Sequence, residues 1–111
     1  MIQSSNRVFL ILTPTDMRKS FDTLAAIVST NNMNPLSGDL YVFANRSRSR
    51  FKVLIWEKGG YWVCARRLEY GVIVIPFADN TKEQFTLEVS LTELRLLIEG
   101  IELRQIKKTK R

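Results

Sequence analysis

The sequence predicts a single α+β domain, built from a mainly antiparallel sheet of five to six strands with two helices packed against it. Two observations lead to this prediction. Short apolar or alternating segments separated by turn residues recur through the middle of the chain, whereas only two segments carry apolar residues at helical spacing. With 111 residues, the chain is long enough for one ordinary domain and too short for two.

The first third of the chain predicts a strand followed by a helix. The continuously apolar run Val8–Leu12 is typical of a central strand that is covered on both faces. Thr15 and Asp16 are good helix N-caps, and apolar residues recur at helical spacing after them. We therefore expect a helix that begins near Met17 and ends near residues 29–30.

The middle of the chain predicts a meander of antiparallel strands, because turn residues separate successive apolar or alternating segments. In the third of these strands, Trp62 and Cys64 are expected on one face and Val63 and Ala65 on the other. The predicted strands are Leu40–Phe43, Phe51–Glu57, Tyr61–Leu68, Val72–Ile75, which Pro76 ends, and Phe85–Val89.

The last strand and a second helix have clear local signals. Phe85, Leu87 and Val89 alternate with polar residues, so we expect these three side chains to face the core. The run Ser90-Leu91-Thr92-Glu93 has the form of a capping box, and an apolar helical face follows it. Gly100 is the predicted stop of this helix.

Positive charge is concentrated in two places. The net charge is +6, yet residues 45–52 carry four cations without an acid and residues 104–111 carry five more. Removing these nine positive charges from +6 leaves −3 on the remainder of the chain. Charge gathered beside a folding core raises self-repulsion, which indicates an anionic partner, with nucleic acid as the first candidate. We assign residues 1–103 to the domain and residues 104–111 to a basic flexible tail.

The first basic stretch has cations at every second position. If it is extended, the repeat of a strand places these side chains on one face at intervals of about 6.6 Å. Such a row would bind phosphates without reading base sequence, and a solvated hairpin tip is the alternative. Two arginines of the next strand would widen the patch. The predicted nucleic-acid-binding residues are Arg46, Arg48, Arg50, Lys52, Arg66 and Arg67.

Other side chains near these cations allow two readings. Trp56, Tyr61 and Trp62 could stack on bases, but aromatic residues in strands usually pack in a core, and we expect two of the three to do so. Arg18 and Lys19 follow the predicted helix start, where they could hold a phosphate, with a solvated helix face as the alternative.

The residue types argue against an enzyme. The chain has no histidine and one cysteine, which removes the commonest general base, the commonest zinc ligand and any internal disulfide. Asp16, Asp39 and Glu57 could bind magnesium in a nuclease, but each suits a helix cap or a turn. We therefore expect no catalytic residue, no metal and no cofactor. The absence of a long apolar run predicts a cytoplasmic protein without membrane association.

A series of motifs extends over roughly residues 7 to 102. They are Pro14-Thr15-Asp16-Met17-Arg18-Lys19-Ser20-Phe21-Asp22-Thr23-Leu24-Ala25, Ser37-Gly38-Asp39-Leu40-Tyr41-Val42-Phe43 with Asn45-Arg46, Lys52-Val53-Leu54-Ile55-Trp56, Arg67-Leu68-Glu69-Tyr70-Gly71 and Glu99-Gly100-Ile101. This order resembles the TnpB-type accessory protein, the second open reading frame of insertion sequence family sixty-six.

The resemblance implies a role in transposition beside a separate transposase, without strand-transfer chemistry in this chain. The transposase and other proteins of the same element are the partners it implies, whereas DNA as a partner follows from the concentration of charge. We expect an accessory protein for transposition that binds nucleic acid through the basic hairpin. The alternative is an adaptor that docks on the transposase without binding DNA, through the segment that contains Thr15, Asp16, Arg18 and Lys19 and through exposed aromatic residues.

Overall fold

The described residues form a mixed five-stranded sheet with a helix on each face. The computed structural model describes residues 6–75 and 84–98. Its strand order is β4-β3-β2-β1-β5, in which β1 and β2 are parallel and all other neighbours are antiparallel. The predicted α+β class is confirmed. The elements are β1 (Val8–Ile11), α1 (Phe21–Thr30), β2 (Leu40–Ala44), β3 (Arg50–Glu57), β4 (Gly60–Arg67), β5 (Thr86–Val89) and a second helix, α2, at residues 91–98.

The two central strands are buried on both faces. Every residue of β1 and β2 is buried, which explains why each strand is continuously apolar in sequence. Parallel neighbours need a crossover, and α1 supplies it on one face of the sheet. There Leu24 and Val28 pack against Phe9, Tyr41 and other residues of the sheet. On the opposite face, α2 and the segment 72–75 cover a second apolar cluster.

Helix α1 begins at Phe21, so the predicted start near Met17 is wrong. Asp16 closes a turn instead of capping a helix, because its carboxylate accepts the backbone N–H of Arg18 at 2.9 Å. The N-cap is Ser20, whose backbone N–H donates to Thr23 Oγ1 at 3.1 Å. The predicted end of the helix is confirmed at residue 30.

The predicted strand at residues 72–75 does not form. Ile73 and Ile75 are buried as expected, but the backbone of this segment does not join the sheet. The N–H of Ile73 donates to Arg48 O at 2.9 Å, and that of Val74 donates to Leu97 O at 3.2 Å. These hydrogen bonds pair the backbone N–H groups of the segment with a turn and with α2. The segment is therefore buried without forming a strand of the sheet.

The segment before α2 is partly as predicted. Val89 is buried and Leu87 is partly buried, but Phe85 precedes β5 and is 52% exposed, so its expected inward position is wrong. The capping box is confirmed, because Ser90 N–H donates to Glu93 Oε1 at 2.9 Å and Glu93 N–H donates to Ser90 Oγ at 3.0 Å.

Several predictions fall on residues outside the described ranges. They are the strand end at Pro76, the helix stop at Gly100 and the basic tail at 104–111, so the division at residue 103 stays a prediction. Within the described residues, neither helix is long and apolar enough to cross a membrane.

Tyr41 provides a test of the packing beneath α1. Its side chain is 1% exposed, and its hydroxyl donates to Asn34 O at 2.8 Å and lies 2.8 Å from Ser37 Oγ. Tyr41→Phe removes this part-buried hydrogen bond and the contact with Ser37, so we expect the free energy of unfolding to fall by about 1–2 kcal/mol. Urea denaturation measures the change. Tyr70→Phe is the matched control, because Tyr70 is 88% exposed and should change stability by less than about 0.5 kcal/mol. Equal effects of the two substitutions would contradict this account.

Candidate nucleic-acid interface

The basic stretch is a turn followed by a strand, not one extended segment. β2 ends at Ala44 and β3 begins at Arg50. Asn45 organises the turn between them: its Oδ1 accepts the Arg50 N–H at 3.0 Å, and its backbone carbonyl accepts the Arg48 N–H at 3.0 Å. Arg48 has a φ of 60°, which reverses the chain direction. The condition for a row of four cations on one face, an extended segment, is therefore not met.

Arg48 has a structural role. Its Nε donates to Ile75 O at 2.9 Å, and its carbonyl accepts the Ile73 N–H at 2.9 Å. These contacts join the turn to the segment that covers the face of the sheet opposite α1. Of the four cations predicted to lie together, Arg48 is thus directed away from the others.

Two adjoining clefts bring together most of the remaining predicted cations on the α1 side of the sheet. The first has a volume of about 660 Å³ and the second about 380 Å³. Met17 and Arg50 line both, so we treat the clefts as one feature, the basic groove. The first cleft is lined by Pro14, Thr15, Asp16, Met17, Asn45, Arg46, Ser47 and Arg50, and the second by Met17, Arg50, Phe51, Lys52, Ala65, Arg66 and Arg67.

Like charges face each other inside this groove. Arg50 of β3 lies directly opposite Arg67 of β4. Residues in such a pair have Cβ atoms about 4.5–5.5 Å apart, so two positive charges there disfavour the folded state unless an anion lies between them. Glu69 relieves part of this repulsion through an ion pair with Arg67 at 2.9 Å, on the exposed surface. No carboxylate in the described part of the chain forms an ion pair with Arg50.

The other two predicted cations, Lys52 and Arg66, are less directly presented to the groove. Lys52 is partly buried, and its Nζ donates to Lys19 O at 2.7 Å, which ties the loop before α1 to β3. Arg66 lines the second cleft, but strand alternation directs its side chain toward the face opposite that of Arg67. The groove on the α1 side thus presents Arg46, Arg50 and Arg67 most directly.

The segment before α1 forms one wall of the groove. Thr15 is 6% exposed and its N–H donates to Ala44 O at 2.8 Å, which holds this wall against the end of β2. Asp16 forms an ion pair with Arg18 at 2.7 Å. Hydrogen bonds from the side chain and the backbone N–H of Arg18 lower the pKa of Asp16 to about 2. Arg18 and Lys19 precede α1, so neither lies within its first turn as predicted.

The three carboxylates considered for a metal have separate structural partners. Asp16 bonds to Arg18, Asp39 accepts the backbone N–H of Arg7 at 3.2 Å, and Glu57 accepts the indole N–H of Trp62 at 3.3 Å. Among residues 6–75 and 84–98, no group of three metal-ligating side chains has the geometry to hold an ion. The geometry therefore gives no support to a metal-dependent nuclease.

Of the three aromatic residues near the hairpin, only Tyr61 packs against a core cluster, whereas two were expected to do so. Trp56 and Tyr61 are partly buried and meet edge to face, with ring centroids 4.9 Å apart. Trp62 is 51% exposed, on the face opposite Tyr61. Trp62 therefore lies outside the basic groove and is not placed to stack on a ligand there.

Among the groove residues that sequence reasoning did not single out, Asn45 and Met17 contribute most to its shape. Asn45 fixes the turn that carries Arg46, and Met17 lies between the two clefts. Asparagine ahead of a serine-rich and arginine-rich segment is a turn signal that could have identified Asn45. Met17 gave no such signal, because its position was explained by the apolar face of a helix that begins later than predicted.

The family model described as IS66 Orf2 like protein matches residues 6–108. The chain belongs to this family. Its members are accessory proteins of an insertion sequence and are not known catalytic enzymes, which supports an accessory role in transposition.

Two curated proteins of Sinorhizobium fredii (strain NBRC 101917 / NGR234) are similar over nearly their whole length. The uncharacterized protein y4hO is 37% identical over 105 residues, which cover 93% of this chain and 87% of the relative. The uncharacterized protein y4jC is 25% identical over 103 residues, which cover 92% of this chain and 85% of the relative. No solved structure matches the chain.

The contrast between Arg48 and Arg46 is testable by stability alone. Arg48→Ala removes the charged group that donates a part-buried hydrogen bond to the Ile75 carbonyl. We therefore expect the free energy of unfolding to fall by about 1–2 kcal/mol. Arg46→Ala removes an exposed side chain and should cost less than about 0.5 kcal/mol. Urea denaturation of both variants measures the difference. A larger loss for Arg46→Ala would show that the two arginines have been assigned the wrong roles.

Proposed function

We propose that this accessory protein binds the phosphate backbone of DNA through the basic groove during transposition of its insertion sequence. The observation that carries the proposal is the pair Arg50 and Arg67, which face each other across two strands in a groove that Arg46 and Lys52 also line. An anion between two opposed guanidinium groups relieves their repulsion and forms charge-assisted hydrogen bonds with both.

The balance of charge in the groove favours an anionic ligand over a cationic one. Among the described residues that line the two clefts, Asp16 is the only acid, and its carboxylate is already paired with Arg18. Five cations line the clefts, four arginines and one lysine. Both residue types bind phosphate oxygens. A polymer of phosphates can occupy two adjoining clefts at once, which a single small anion cannot.

The same residues favour binding that is independent of base sequence. Guanidinium and ammonium groups on a sheet surface contact phosphates, whereas base recognition requires a helix or ribbon that enters a groove of the duplex. The exposed indole of Trp62 lies on the other face of the sheet, so stacking on unpaired bases adds nothing in this groove. The proposed contribution to transposition is therefore electrostatic attachment to DNA.

Salt dependence of duplex binding tests the proposal. Each phosphate contact that is lost should reduce the slope of log affinity against log salt by about 0.9. We expect Arg46→Gln, Arg50→Gln and Arg67→Gln each to reduce it, with the largest loss of affinity for Arg50→Gln because Arg50 lines both clefts. Fluorescence anisotropy with a labelled duplex measures the slopes.

The matched control is Arg95→Gln, which removes the same charge from the exposed side of α2. Its slope should equal that of the wild type within error. If all four variants lose affinity equally, net charge and not the groove determines binding. If the wild type binds no duplex yet co-purifies with the transposase after nuclease digestion, the proposal fails in favour of the adaptor role.

Asp16 provides a second test, with the opposite sign. Because the pKa of Asp16 is about 2, its carboxylate stays negative down to about pH 4, so the groove should keep this charge through the neutral range. Asp16→Asn removes the negative charge and releases Arg18, and we expect duplex affinity at low salt to rise about threefold. Glu88→Gln is the control, because Glu88 lies on β5, at the opposite edge of the sheet, and its carboxylate pairs with Arg7 there. A rise for both variants, or for neither, would contradict the assigned place of Asp16 in the groove.

A further inference from the structure

Strand β4 forms one edge of the sheet and is as long as any strand in the described chain. It has eight residues, and its inner side pairs with β3 along its whole length. In the part of the chain that the structure describes, no strand pairs with its outer side. Natural proteins usually protect such an edge with proline, charge or a bulge. From Tyr61 to Ala65, β4 has none of these devices.

The register determines which backbone groups point outward. Lys58 and Gly59 both have positive φ, as in a two-residue hairpin turn, so Glu57 and Gly60 form a hydrogen-bonded pair. At the other end of the hairpin, Leu68 N–H donates to Ser49 O at 2.8 Å, which gives the same alternation. Even-numbered residues of β4 therefore bond to β3. Backbone N–H and C=O groups at the free edge belong to Tyr61, Val63, Ala65 and Arg67.

We infer that a second copy of this chain pairs with β4, antiparallel and in register about Cys64. Hydrogen bonding requires outward-facing residues to lie opposite one another, so the two-fold axis must pass through a residue and not between two. With the axis at Cys64, Val63 lies opposite Ala65 of the second copy, and Tyr61 lies opposite its Arg67. Seven residues of each strand are then paired in one continuous ten-stranded sheet.

Side-chain chemistry selects the second copy and this register. On one face, Arg66 lies opposite Trp62, whose indole N–H bonds to Glu57, so the guanidinium meets an aromatic ring beside a carboxylate. On the other face, Arg67 lies opposite Tyr61. An axis at Val63 or Ala65 removes both arginine–aromatic pairs, and a parallel arrangement sets arginines beside arginines.

The two-fold axis also has a consequence for Cys64. Cys64 of one copy lies opposite Cys64 of the second copy. These two residues form a pair without backbone hydrogen bonds, in which the Cα atoms lie about 4.5 Å apart. That separation lies within the range of about 4.4–6.8 Å that a disulfide spans. Since Cys64 is the only cysteine of the chain, its oxidation to an intermolecular disulfide reports this register directly.

The experiment uses the full chain, freed of nucleic acid by nuclease and high salt. Sedimentation equilibrium should give a dimer. Diamide, which takes up two hydrogens as two thiols become one disulfide, should convert the dimer to a covalent one. Val63→Cys combined with Cys64→Ser is the matched control, because residue 63 then faces residue 65 of the second copy and cross-linking should fall at least tenfold.

Ala65→Pro tests the backbone pairing. Ala65 is exposed and its N–H points away from β3. Proline therefore removes one backbone hydrogen bond donated by each copy, two in the dimer, and leaves the hydrogen bonds between β3 and β4 intact. We expect the dissociation constant of the dimer to rise about tenfold or more. Ala65→Thr keeps the N–H and should dimerise like the wild type, and circular dichroism checks that each variant is folded.

A wild-type chain that stays monomeric up to its solubility limit would overturn the inference. So would a dimer that Ala65→Pro leaves unchanged, or cross-linking that is as efficient from residue 63 as from residue 64. If Ala65→Pro fails to fold, the comparison of cross-linking positions decides alone. Duplex affinity plays no part in these readouts, so the outcome is separate from that of the proposed function.

Discussion

The parallel pairing of β1 with β2, buried on both faces, is the constraint on which the rest of the molecule depends. Parallel neighbours cannot be joined by a tight turn, so the chain must leave the sheet, form α1 and return. Burial on the second face requires a second cover, which α2 and the segment 72–75 provide. The basic groove lies where the first crossover begins, because the loop from β1 to α1 passes the end of β2 and the turn after it.

Elements with local signals could be predicted from the sequence. The capping box of Ser90 and Glu93, the apolar run of β1 and the hairpin turn at Lys58 and Gly59 are each determined by residues close together in the chain. The α+β class followed from counting such segments. Strand order did not, because the pairing of β1 with β5 joins residues that are far apart in sequence.

The errors arose where one local pattern is compatible with two structures. Asp16 and Ser20 are both N-cap residues, and only the loop contacts decide that the helix starts after the second. Alternating arginines fit a strand, but Arg48 adopts a left-handed conformation that no periodicity indicates. For the groove, residue type predicted the charge, and Arg46, Arg50, Lys52 and Arg67 do adjoin two connected clefts. Their relative orientation depends on a turn that the sequence shows only through Asn45.

The loop that forms the wall of the groove is fastened at two points. The backbone N–H of Thr15 bonds to the end of β2, and the Lys52 ammonium bonds to the carbonyl of Lys19. Between these points, the Asp16 turn is closed by its own hydrogen bonds. A surface held in this way loses little conformational entropy when a ligand arrives, so more of the interaction free energy appears as affinity. The loop before α1 therefore acts as a preorganised wall whose position is set before any partner binds.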